Sequence, residues 1–456
     1  MVQDIKEIIV KGRIRSSSNN ILTPEIAAKL GAAHGSFIGK NGNLIIAREY
    51  NNDCRMLKRA YISGVMSAGV QIMNIHSTPL PLLQFCIRKF GASGGVYFSS
   101  GTSKEGEVAI RLFDSSGCEF NEANLSSINE LYSQDKIRRV PSKDIGSISN
   151  IDHASEIYSK ALPQLINKNL FTEKELKVVL DCSHGPAGVI TPSLLNDLHI
   201  NTIALNTFVQ ISNKTFPNLA SIKSAVSIVQ ASNANLGVIM DPDGSRALYI
   251  DDHGNIISFS ELMMLFISEF SPFKISKNNP IVISNTASKI IDTYAAQMGY
   301  KIKRVENDPG MISRTIREEH SSFGAADTFK FYFPHYGPYS DATFTILMIL
   351  QILATSNEPL SSILRTFPRT IRTSKTIMIS GDSQTAMIKI RDKLREKGYK
   401  MEDMIYGVKV IKPKKWVIIS QSIFQNAIIL NCESEESDGG KDIIAELEEL
   451  VKDALK

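Results

Sequence analysis

Short apolar runs that break off in polar, often glycine-bearing turns alternate along this chain with stretches whose apolar residues fall at helical spacing. Ile8 to Val10 reads as a strand, followed by GRIRSSSNN as a basic loop. Thr23 before Pro24 and Glu25 predicts an N-cap with proline at the first helical position. Ile26, Ala27, Leu30 and Ala33 continue that helix at the right spacing, and Leu44 to Ala47 reads as the next strand. Val238, Ile239 and Met240 predict a buried strand that stops at Asp241 and Asp243. A second strand follows, Ala247 to Ile250, and then a turn at Asp251 to Gly254. Beyond it the pattern predicts a helix from Ser260, strands at Pro280 to Ser284 and Ile302 to Val305, and a buried helix through Thr343 to Leu353. Short strands, a helix from Gln384 to Lys397 and an acidic C-terminal helix complete the chain.

Composition narrows the class. A chain of 456 residues exceeds one core and fits roughly three or four domains. Its hydrophobic share of 43% and charged share of 21% are those of an ordinary globular protein. A net charge of +4 gives nucleic acid or a membrane surface no bulk electrostatic support, while local cationic pockets for phosphorylated sugars remain open. Cys54, Cys86, Cys118, Cys182 and Cys432 are odd in number and lack any CxxC pair, so they read as reduced, buried thiols of a cytoplasmic protein. The N-terminus carries acids and has no long apolar core, unlike a signal peptide. No run reaches membrane-spanning length.

The stretch LGVIMDPDGSRALYIDDHG carries the most chemistry. Carboxylates at alternate positions just past a strand end can converge on a hard cation such as Mg²⁺, which takes oxygen ligands. Asp-Pro-Asp-Gly is equally a good hydrophilic turn. His184, in the glycine-containing loop after LKVVLDC, reads either as a loop histidine facing solvent or a carbonyl, or as a catalytic group.

DPDGSR followed by LYIDDHG resembles the metal loop of the α-D-phosphohexomutases, whose pattern is Asp-x-Asp-Gly-Asp-Arg; here Ser245 stands at the third Asp and Arg246 keeps the Arg. Other stretches match in family order: Arg15 in the N-terminal Arg loop, Leu22-Thr23-Pro24-Glu25, Arg48 and Glu49 at a strand end, Ser77-Thr78-Pro79, and the Gly94-Gly95 strand. In that family a Thr-Ala-Ser-His-Asn-Pro loop carries the phosphoryl group on its serine. Aligned without a gap, Ser99 and Ser100 match Thr-Ala and Gly101 takes the nucleophile's place. Thr102, Ser103 and Lys104 follow, and Arg111 keeps a cationic role. A one-residue slip would present Ser100 or Thr102 instead. Where the family holds the sugar with Phe-Gly-Gly-Glu-x-Ser-Gly-His, this chain has Ala326 for Glu, Thr328 for Ser, Phe329 for Gly and Lys330 for His. Lys330 reads either as a phosphate-attracting cation or as a solvated lysine. Asp341 keeps the Asp before the long apolar helix. In the phosphate clamp, Trp416 and Val417 set the register and Ser422 is the one matching hydroxyl. Ser420 and Ile429 stand for the two arginines, with Ile423, Phe424 and Gln425 between them.

The resemblance implies an α/β fold of four domains, 1–150, 151–252, 253–368 and 369–456. Three are similar α/β units, the last is a smaller α+β unit, and each contributes one functional loop. It implies two readings of function. One is a Mg²⁺-dependent isomerase moving phosphate between O1 and O6 of a hexose. Ser100 or Thr102 would be its nucleophile, Asp241, Asp243 and Ser245 its metal ligands, and Arg15, Arg111, Arg246, Thr328, Lys330 and Ser422 its substrate contacts. The other is a non-catalytic member that acts by binding, with an active paralogue or itself as partner and with Mg²⁺ weak or absent. Loss of the nucleophile, the sugar carboxylate and both clamp arginines together favours the second, since glycine has no side-chain oxygen to phosphorylate and Ala326, Ser420 and Ile429 do not replace the lost hydrogen bonds.

Overall fold

The computed structural model describes residues 5–10, 13–100, 106–209, 219–268, 271, 273, 275–368, 371–404, 407–422, 426–434 and 438–455. They form two compact units, Met1–Asn285 with Tyr294–Thr366, and Thr286–Thr293 with Phe367–Lys456.

The first unit repeats one strand pattern three times. In the first sheet, Asn43–Arg48 lies between Gln71–Ser77 and Gly94–Ser100 as parallel neighbours, and Glu107–Asp114 returns antiparallel beside Gly94–Ser100. The second sheet places Lys177–Asp181 between Asn201–Leu205 and Leu236–Met240, with Ala247–Ile250 returning antiparallel. The third places Ile281–Ser284 between Ile302–Val305 and Gly324–Ala326, with Lys330–Tyr332 returning. Numbering the strands of each repeat in chain order, all three sheets read 2-1-3-4. The third and fourth strands pair antiparallel each time, and in the second and third sheets the connection between them holds Asp241 to Arg246 and Asp327 to Phe329. Parallel strands buried on both faces need near-continuous apolar runs, which Leu44–Ala47 and Leu236–Met240 supply.

Side chains alternate across the first sheet. Leu44, Ile46, Val96 and Phe98 join the core under helices Pro24–Ile38 and Asn52–Ser67. On the other face, Gly95 lies under Ile87 of helix Leu80–Lys89, close enough that a Cβ would meet Ile87 Cδ1 at 2.4 Å. Thr23 caps Pro24–Ile38 as expected, its hydroxyl accepting from Ile26 N. Thr343 to Leu353 lies in the buried helix Ala342–Thr355, whose N-cap is Asp341.

Two local expectations change. GRIRSSSNN is not a loop: Arg13–Ser17 is a strand, paired antiparallel with Ile9–Val10 and with Glu107–Asp114. Backbone pairing to distant residues decides this, since the segment lacks apolar alternation. Ile8 closes a 3-10 turn, Ile5–Ile8, rather than opening a strand.

The second unit is an antiparallel sheet in the order Ile371–Met378, Ala427–Ser434, Lys415–Gln421, Gly407–Lys412, Met401–Met404. Helices Ser383–Glu396 and Lys441–Ala454 share its core through Ile390, Leu394, Leu447 and Val451.

Candidate functional site

The Asp241–Arg246 hairpin loop is fastened through its backbone. Asp241 N donates to Arg246 O at 3.0 Å and Gly244 N to Asp241 O at 3.0 Å, with Gly244 in the left-handed region at φ 74°. Three successive carbonyls then tie it to its surroundings: Asp243 O accepts from Leu80 N, Gly244 O from Ala342 N, and Ser245 O from Ser340 Oγ. Ser340 Oγ also accepts from Phe331 N, which links the third sheet's fourth strand to this loop.

Both carboxylates of the loop are met by guanidiniums. Arg246 Nε donates to Asp241 Oδ2 at 3.0 Å and Arg246 N to Oδ1 at 3.3 Å. Arg111 Nη1 donates to Asp243 Oδ2 at 2.8 Å, and Ser245 N to Oδ1 at 2.8 Å. Arg111, 3% exposed, also forks onto Glu119 through Nε and Nη2 at 2.9 and 3.0 Å. Arg13 forks onto the same carboxylate at 2.8 and 3.2 Å. Burial acts against the Glu119 anion, yet the two guanidiniums hold its carboxyl well below the usual range. Asp243 is likewise held low against burial, by Arg111 first and Lys330 next. Burial and the neighbouring Asp243 push Asp241 up.

Lys330 is not a solvated lysine. It is 7% exposed, and burial first, then Arg111, pushes its ammonium down to about 7 while Asp243 opposes. Its strand residue pairs with Ala326, so the position of the sugar-holding carboxylate is a buried methyl facing a buried cation strand. Between them, Asp327 N donates to Ser284 Oγ, Asp327 Oδ1 accepts from Asn307 Nδ2, and Phe329, at φ 63°, packs on Phe259. Thr328 is half-buried in that turn.

Ser100 ends the strand Gly94–Ser100. Its Oγ donates to Glu49 Oε2 at 2.7 Å and accepts from Asn51 Nδ2 at 2.6 Å. Burial first, and then Asp243 and Asp241 after Ser100's opposing hydrogen bond, bring the Glu49 carboxyl up to about 7. Those charges place the Ser100 end of the first sheet in the field of the Asp241–Arg246 loop. Gly101, Thr102, Ser103 and Lys104 lie outside the described residues. Arg15 donates to Glu107 Oε2 at 2.6 Å at the start of the neighbouring strand. Within the second unit, Ser422 N donates to Ala427 O at 2.8 Å; Ile423, Phe424 and Gln425 lie outside the described residues. His184 Nδ1 lies 3.0 Å from Phe208 O, as the structural reading expects. All five cysteines are free and buried.

Three consecutive domain models match the chain: phosphoglucomutase/phosphomannomutase alpha/beta/alpha domain I at residues 9–139, domain II at 156–254 and domain III at 259–371. The chain belongs to the phosphoglucomutase/phosphomannomutase family. A phosphoglucomutase/phosphomannomutase of Thermococcus kodakarensis is 24% identical over 97% of this chain and 98% of its own length. A solved phosphoglucomutase/phosphomannomutase family protein of Burkholderia thailandensis superposes with a TM-score of 0.80 at 18% identity, covering 98% of each chain. The N-acetylphosphoglucosamine mutase of Aspergillus fumigatus, solved with GlcNAc-6P and magnesium, gives 0.56 at 11% identity over 90% of this chain and 82% of its own.

Set against this family's metal loop, the donor set here is one carboxylate short, with Ser245 in place of the third aspartate. All four oxygens of Asp241 and Asp243 already accept hydrogen bonds. The Ser245 hydroxyl is the loop's buried oxygen without a partner, and a neutral hydroxyl is a weaker ligand than a carboxylate. Among the described residues no group of three His, Cys, Asp or Glu is placed to hold a metal. No helix among them is long and apolar enough to cross a membrane. Sequence reasoning missed Glu119 and Arg13, and it matched Glu49 only by motif. No local signal marks Glu119, because its two guanidinium partners come from other strands.

Proposed function

We propose that this family member no longer shuttles phosphate between O1 and O6 of a hexose and acts instead by binding, with an active paralogue or a second copy of itself as partner. The observation that carries this is the Asp327–Phe329 hairpin. Where the family pattern places a sugar-holding glutamate, Ala326 is 1% exposed and strand-paired to Lys330, and the adjacent Asp327 is already bonded to Asn307. A site built to hold sugar hydroxyls with a carboxylate loses orders of magnitude in discrimination when that group is gone. Gly101 at the nucleophile's position, with no side-chain oxygen, supports the same reading.

A second reading, an active Mg²⁺-dependent mutase with Ser100 as phosphoryl acceptor, is favoured by one contact. The Ser100 hydroxyl already donates to a carboxylate able to take its proton.

Incubation with glucose 1,6-bisphosphate and Mg²⁺ followed by intact mass measurement separates the two. We expect an unchanged mass. A stable phosphoryl adduct mapped to Ser100 or Thr102 would overturn the non-catalytic reading. Gly101→Ser alone is expected to leave the protein without mutase activity, since the sugar loop is also altered.

A further inference from the structure

We infer that Arg111 and Arg246 do for the Asp241–Arg246 loop what a divalent cation would otherwise do: they neutralise its two carboxylates, so that the loop is complete without a metal.

The first support is geometric. A hard divalent ion takes near-octahedral oxygen ligands at about 2.1 Å for Mg²⁺, and guanidiniums already seated on both carboxylates compete with it for them. Here each carboxylate oxygen of Asp241 and Asp243 is engaged by an N–H donor, two of them from guanidiniums. Arg111 is not free to swing away, because its other two donors are fixed on buried Glu119, which Arg13 also grips. The loop's shape is set independently by the three carbonyl contacts to Leu80, Ala342 and Ser340.

The second support is charge. In direct contact stand three carboxylates, Asp241, Asp243 and Glu119, against three guanidiniums, Arg246, Arg111 and Arg13. The cluster is neutral before Lys330 is counted. Beyond these contacts, Glu49 lies in the field of Asp243 and Asp241, Asp308 in that of Glu119 and Arg13, and the buried Lys330 in that of Asp243. A dication entering this cluster would meet no carboxylate without a guanidinium partner. The replacements seen in sequence agree. Ser245 for Asp removes one negative charge and one ligand, and Lys330 puts a base able to carry a positive charge where the family pattern has His.

The full chain, stripped with EDTA, is titrated with Mn²⁺ and the free-ion EPR signal followed, and thermal midpoints are compared in Mg²⁺ and in EDTA. We expect the free Mn²⁺ signal to be undiminished by equimolar protein and the two midpoints to coincide within about 1 °C. The double variant Ser245→Asp with Lys330→His is expected to capture one Mn²⁺ per chain and to melt higher in Mg²⁺ than in EDTA. Stoichiometric Mn²⁺ uptake by the unmodified protein would overturn the inference, as would a folded double variant that captures none. If the double variant does not fold, the titration of the unmodified protein decides alone. Ion binding is read without turnover, so this result and the phosphoprotein mass test can fail separately.

Discussion

Ser100 and Glu49 are bonded twice: the Ser100 hydroxyl donates to Glu49 Oε2 at 2.7 Å, and the Ser100 amide donates to the same oxygen at 3.0 Å. Asn51 holds the hydroxyl from the other side while its own Oδ1 caps helix Asn52–Ser67 at Cys54 N. The serine nearest the family's nucleophile position is therefore clamped between the start of a helix and a carboxylate that burial raises to about 7.

Glu49→Gln keeps an acceptor for both Ser100 donors and removes a charge that the fold disfavours. A carboxyl raised from 4.5 to about 7 on folding costs nothing below pH 4.5; its cost accumulates between pH 4.5 and 7, where only the unfolded chain is ionised, and is constant above that. The variant should match the wild type in urea unfolding at pH 4.5. At pH 8 it should exceed it by about 2 kcal/mol, less than full linkage because the residue is partly exposed. Stability differences that stay constant across that range would rule the mechanism out.

His34 works in the opposite sense. Its Nδ1 lies 2.6 Å from Tyr61 Oη, its Nε2 is buried without a hydrogen bond among the described residues, and Phe37 and Phe120 pack around it. Burial depresses its pKa from 6.5 to about 3, so the unfolded chain takes up a proton that the folded chain refuses. Its contribution is complete above pH 6.5 and declines by about 1.4 kcal/mol per pH unit between 6.5 and 3. His34→Gln should flatten that part of the stability–pH curve; an unchanged slope would show that other groups set it.

Arg111→Met should destabilise the fold by about 3–5 kcal/mol, because it leaves Asp243 unpaired and removes one of the two guanidiniums on Glu119. Adding Glu119→Gln should recover part of the loss. Chemical denaturation of both variants measures the coupling, and strictly additive effects would contradict the shared network.

Helices Pro24–Ile38 and Asn52–Ser67 meet at glycines. A Cβ on Gly64 would stand 1.9 Å from Ala28 O, and one on Gly31 would stand 2.1 Å from Tyr61 O. Backbone cannot yield as a side chain does, so Gly64→Ala should cost about 3 kcal/mol despite alanine's better helix propensity. A thermal midpoint at or above that of the wild type would refute the close packing.

Much of the architecture was legible from local pattern. Thr23-Pro24 announced a helix start, Leu236–Met240 a buried strand ending at two aspartates, and Thr343 to Leu353 a buried helix. Each of these signals depends on residues within a turn or a strand length of one another. The family resemblance, carried by short motifs in order, was legible for the same reason.

Tertiary structure alone decided the rest. Arg13–Ser17 became a strand because Glu107–Asp114 offered it hydrogen-bond partners. Lys330, indistinguishable by sequence from a surface lysine, was buried because its hairpin closes over Ala326 and is tied through Ser340 to the Asp241–Arg246 loop. Whether Asp243 faces a metal or a guanidinium depends on Arg111, 132 positions away. Charge acts through space while a local pattern reads only along the chain, so the element types could be read from the sequence and the state of the site could not.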